Sequence, residues 1–100
     1  MLVVAGIIRI DPAKRSLADA AFAKVRAATL KEPGCIEYQA YADRSDDGVI
    51  FMFEKWKGPD DLAKHFKTPH MAEFTSAMGS FGVVGMDIKK YEVSSEGPVF

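Results

Sequence analysis

The chain has one cysteine, Cys35, among its 100 residues, so no internal disulfide framework exists and a lone thiol is no metal motif. Charge of one sign is also missing. Lys and Arg number 13 against 14 Asp and Glu, a net charge of −1. No basic run exceeds Lys89-Lys90, which removes the cationic stripe a nucleic-acid binder needs. The longest apolar run, Leu2 to Ile8, is far short of the ~18 residues of a membrane span. It has neither a basic stretch before it nor a small-residue cleavage site after it, so no signal peptide is expected. The expectation is a cytoplasmic protein with no nucleic-acid and no membrane partner. Low-complexity stretches, linkers and internal repeats are absent. Gly79, Gly82 and Gly85 do not lead a strand into a helix, so they are no dinucleotide fingerprint, and no Ser-His-Asp pattern or phosphate loop occurs.

What is present is ordinary globular usage, 48% hydrophobic and 27% charged. The length predicts one domain over 1–100, with a core from 2 to 93 and a tail, 94–100, that is loose or contacts a partner. Leu2–Ile10 is a β-branched run expected of a buried strand. Asp11-Pro12 starts a helix, Leu17, Ala21, Val25 and Ala28 mark its apolar stripe, and Pro33-Gly34 ends it. Cys35–Ala42 and Val49–Lys57 read as an antiparallel hairpin. A second helical region follows Gly58-Pro59, with Leu62, Phe66, Met71 and Phe74 on its apolar side and a break at Thr68-Pro69. Val83–Val93 is the last strand.

The order βαββαβ predicts an α+β, ferredoxin-like fold: a four-stranded antiparallel sheet with the helices on one face. Helices then cover one face only, yet Val49–Lys57 is apolar on both, with Phe51 and Phe53 pointing one way and Met52 and Trp56 the other. A homodimer packed sheet to sheet would cover the second face.

Few residues can carry chemistry. His65 and His70 are the only histidines, and their spacing of five does not put two ligands on one helical face. No cysteine or carboxylate pair completes a set, so no metal is expected. Either histidine can pack at a helix end. His65, three residues after Leu62, can instead point toward the sheet and act as a general base. Glu54, in an apolar strand beside Trp56, can steer a substrate or pair with a cation across the dimer. Tyr38, Tyr41, Trp56 and Phe74 can line a pocket for a flat ligand or be plain core. Cys35 follows a helix end rather than a helix start, a weak position for a nucleophile.

Four short motifs carry a resemblance: Glu32-Pro33-Gly34-Cys35 with Tyr38 three residues on, Phe53-Glu54-Lys55-Trp56, His65-x-x-x-Pro69-His70-Met71, and Phe74. In this order and spacing, over Leu2 to Val93, the chain resembles the antibiotic biosynthesis monooxygenase (ABM) superfamily, most closely its short quinol monooxygenase-like members. The resemblance implies a dimeric α/β-barrel-type assembly and oxidation of quinols or polyketide-like phenols by O₂ as co-substrate, without metal, flavin or haem. It makes His65 the base, and Tyr38, Glu54, Trp56, Phe66, His70, Met71 and Phe74 the substrate surroundings. The haem-degrading branch relies on an Asn, a Trp and a His where this chain has Gly6 or Ile7, His65 and Thr75, so haem degradation is not expected. A branch that isomerises a phosphorylated sugar also carries a histidine at the position of His65. That activity, and a non-catalytic binding module, stay open.

Overall fold

The computed structural model describes residues 1–100. Strand β1 (Leu2–Ile10) leads through a short 3₁₀ turn (Pro12–Lys14) into α1 (Arg15–Thr29). The hairpin strands β2 (Cys35–Ala42) and β3 (Val49–Trp56) follow. Then come α2 (Pro59–His65), α3 (Pro69–Met78) and β4 (Val83–Glu92). The four strands form one antiparallel sheet in the order β2-β3-β1-β4, which is the split βαβ arrangement that the element order predicts. The second helical region is two helices. Pro69 opens the second of them, and the Thr68 hydroxyl caps it by accepting from the Met71 N–H at 3.3 Å. No helix is long and apolar enough to cross a membrane.

One sheet face is closed by the helices. Leu2, Val4, Ile8 and Ile10 of β1 and Ile50, Met52, Glu54 and Trp56 of β3 lie on it, all buried. Phe22, Phe74 and Phe81 stack beneath the helices, with ring centroids 5.0 to 6.0 Å apart. The other face carries Val3, Ala5, Ile7, Phe51 and Phe53 in register, with Tyr41 and Tyr91 on the flanking strands half exposed. Alternation along β3 therefore separates Phe51 and Phe53 from Met52 and Trp56 as expected.

Two packing expectations are corrected. The buried side of α1 is Ala18, Phe22, Val25 and Thr29, whereas Leu17 is 52% exposed. Phe22 is the bulkiest apolar side chain of the helix, and burying it turns Leu17 outward. Phe66, expected on the apolar side of the second helical region, follows the last residue of α2 and is 63% exposed at the rim of a cleft.

Candidate functional site

Three segments converge at the end of α2. Pro33-Gly34 turns the chain from α1 into β2, and the Lys57 N–H at the end of β3 donates to the Gly34 carbonyl at 2.9 Å. Gly34 lies so close to α2 that an added Cβ would sit 2.2 Å from the Asp61 side chain, so only glycine lets the loop press there. This brings Glu32 over the helix. On the other side, the Thr68 hydroxyl donates to the His65 carbonyl at 2.7 Å, joining the end of α2 to the start of α3.

The elbow brings the two histidines together. His65 Nδ1 and His70 Nε2 lie 2.7 and 2.8 Å from the same oxygen, Glu32 Oε2. A spacing of five keeps two side chains off a common face only within one helix. The histidines belong to two, and a carboxylate 33 residues upstream of the first bridges them. The ligand atoms of Glu32, His65 and His70 all lie within 4.8 Å of one another, close enough to hold a metal ion. Glu32 was legible only as part of a motif, because nothing local in the sequence connects it to either histidine.

His65 is 1% exposed and packed on aromatic rings, with Trp56 at 4.7 Å and Tyr38 at 5.7 Å between centroids. Burial lowers its pKa, more than the Glu32 carboxylate raises it, and so favours the neutral ring. With Nδ1–H donated to Glu32, Nε2 carries the lone pair and makes no hydrogen bond within the protein. His65 lines a cleft of about 550 Å³ between the sheet and the helices, together with Tyr38, Glu54, Met71, Phe74 and Ile88. Twelve of the seventeen lining residues are hydrophobic, which suits an apolar or aromatic ligand over a sugar.

Glu54 sits on the helix-covered side of β3, so pairing with a cation across the open face is ruled out. Its partner is Trp56, whose Nε1–H donates to Oε1 at 3.0 Å. Burial outweighs this bond and pushes the Glu54 carboxyl up to about 7. Burial, then the Glu54 charge, raise the Tyr38 hydroxyl, which stays a donor at neutral pH. Burial likewise raises the Cys35 thiol to about 11, which keeps it protonated at neutral pH. Of the expected site residues, Tyr38, Glu54, His65, Phe66, Met71 and Phe74 line the cleft. Trp56 is 0% exposed and supports His65 and Glu54 from below, and His70 lies on a shallow groove between α1 and α3.

The shifted carboxyl makes stability depend on pH. Between its ordinary value of 4.5 and about 7, Glu54 holds a proton in the folded chain that the unfolded chain has released. Stability therefore falls as pH rises through that window. Glu54→Gln keeps an acceptor for Trp56 without a charge. It is expected to flatten the slope and to stabilise the protein by about 1–3 kcal/mol at pH 8. Urea denaturation at several pH values checks this, and an unchanged slope in the variant would show that Glu54 does not titrate there.

These features define a small ferredoxin-like domain with a carboxylate-anchored histidine at the base of an apolar cleft. The pattern of the antibiotic biosynthesis monooxygenase family matches residues 1–77, and the chain belongs to that family. A protein of Escherichia coli K12 named "Probable quinol monooxygenase YgiN" is 32% identical over 89 residues, covering 78% of this chain and 85% of its own length. An uncharacterised Synechocystis protein, sll1783, is 32% identical over 93% of this chain, which spans 63% of that longer protein. A solved structure from Deinococcus radiodurans that carries the same family name superposes with a TM-score of 0.91. It is 20% identical and covers 100% of this chain and 99% of its own, which establishes the shared fold.

Proposed function

We propose that this protein is a cofactor-independent monooxygenase that oxidises a quinol or related small phenol with O₂, with His65 as general base. The observation that carries the reading is His65 itself: a buried imidazole anchored through Nδ1, with Nε2 unpartnered at an apolar cleft. A phenol docked there gives its hydroxyl proton to Nε2. The phenolate is electron-rich enough to pass an electron to O₂ directly, so the protein need only bind, deprotonate and exclude water. One oxygen atom ends on a ring carbon. The other leaves as water with the hydrogens of that carbon and of the hydroxyl. Tyr38 and Glu54 stand ready to hydrogen-bond a second substrate oxygen.

A phosphosugar isomerase is the weaker reading. It needs cations converging on the phosphate. Lys89 and Lys90 are the only cations lining the cleft, and Lys89 is engaged with Asp87 at 2.8 Å. A panel of quinols and polyketide phenols, followed by O₂ uptake in air and by product formation without O₂, tests the proposal. Uptake with at least one member supports it. No uptake with the panel, together with isomerisation of phosphorylated sugars, favours the isomerase, and binding without turnover favours a binding module.

The same reading includes a homodimer through the open sheet face, because its apolar residues have no cover in one chain. Phe51, 41% exposed at the centre of that face, is the residue to change. Sedimentation is expected to show twice the chain mass for the wild type and a folded monomer for Phe51→Asp. A wild-type monomer at micromolar concentration would contradict it. Met52→Asp and Trp56→Asp bury a charge under the helices and unfold the chain instead.

A further inference from the structure

We infer that Glu32, His65 and His70 form a binding site for a divalent transition-metal ion of the Zn²⁺ kind, placed behind the cleft. The inference goes beyond the oxidative reading, and only its consequence for turnover rests on it.

The donor set is one carboxylate oxygen and two imidazole nitrogens, a combination that suits Zn²⁺ and its first-row neighbours rather than Mg²⁺. The two nitrogens already stand 2.7 and 2.8 Å from Glu32 Oε2, with all three ligand atoms within 4.8 Å of one another. Metal–ligand bonds of about 2.0–2.1 Å in tetrahedral geometry put ligand atoms about 3.3 Å apart. Admitting the ion lengthens the two N···O distances by about half an ångström and requires the carboxylate to turn aside from the ring N–H axes, so that each lone pair faces the metal. The ligands come from three segments that are tied together, by the Thr68 hydroxyl on the His65 carbonyl and by the Lys57 N–H on the Gly34 carbonyl. His70 reaches the groove between α1 and α3, which gives an ion a way in from solvent, and water can complete the coordination.

Glu32 and His70 do not line the cleft, so the ion would not meet a substrate directly. Its effect would come through the ring of His65. An ion on Nδ1 needs the lone pair there, so a neutral ring must carry its hydrogen on Nε2. The cleft then meets a donor where it had an acceptor, and the base is switched off.

Equilibrium dialysis of tag-free, chelator-treated and desalted protein against ZnCl₂ tests the site. One ion per chain is expected, with no comparable uptake from MgCl₂. Glu32→Gln and His70→Ala, each checked for fold by circular dichroism, are expected to weaken binding by about tenfold or more. Cys35→Ser is expected to bind as the wild type does, since the thiol is outside the cluster. In ¹⁵N spectra, His65 Nε2 should change from an unprotonated to a protonated nitrogen as zinc is added. Absence of stoichiometric zinc binding, binding untouched by Glu32→Gln and His70→Ala, or loss of binding in Cys35→Ser would each overturn the inference. None of these readouts uses a substrate, so their failure leaves the base reading standing, and failure of O₂ uptake leaves the metal site standing.

Discussion

Replacing His65 is expected to lower turnover by about 10²–10⁴-fold, the usual loss when a single general base is removed. His65 is the one buried imidazole with an unpartnered ring nitrogen at the cleft. His70 is turned away from the cleft onto Glu32. Because His65 is buried between Trp56 and Tyr38, His65→Ala also leaves a cavity and costs stability. His65→Gln is the cleaner variant. It fills most of the space and its amide can still donate to Glu32, but it cannot accept a proton at neutral pH. Steady-state rates with a substrate found by O₂ uptake, alongside circular dichroism, separate the two effects. A folded His65→Gln protein that keeps wild-type turnover would remove His65 from the mechanism.

The largest stability effect is expected at Trp56. Its side chain is fully buried, packs on the His65 ring and donates to Glu54. Trp56→Ala removes an indole from the core beside the site and should cost about 3–5 kcal/mol, enough to unfold much of a marginally stable domain. Trp56→Phe keeps most of the apolar contact but takes the donor from Glu54, and should cost about 1–3 kcal/mol. As the chain has no other tryptophan, denaturation is followed by circular dichroism rather than intrinsic tryptophan emission. Equal costs for the two variants would mean that the Nε1–H bond, rather than ring packing, holds Trp56 in place.

Much of this fold is legible in the sequence because its signals are local. The β-branched run of β1, the alternation in β3, and the punctuation at Asp11-Pro12, Pro33-Gly34 and Thr68-Pro69 each mark an element where the structure has one. The face that α1 presents to the sheet was not legible. Leu17 and Phe22 both fit apolar helical stripes, and only docking on the sheet selects the one with Phe22. The site divides in the same way. His65 was legible from its spacing to Leu62 and from the family resemblance. Its partners were not, because Glu32 and His70 meet through an elbow between two helices and a loop from the other half of the chain. Glu54 is legible as an unusual buried acid, but its partner, two residues along the same strand rather than across an interface, is not.

The proposed reaction puts one atom of O₂ into a phenolic substrate. Its most direct test is a turnover in ¹⁸O₂ with the substrate that supports O₂ uptake, followed by mass spectrometry of the product. One ¹⁸O atom per product molecule, with the other recovered in water, is the predicted result. Product that carries no ¹⁸O, whether from isomerisation or from oxidation that yields hydrogen peroxide, would contradict it.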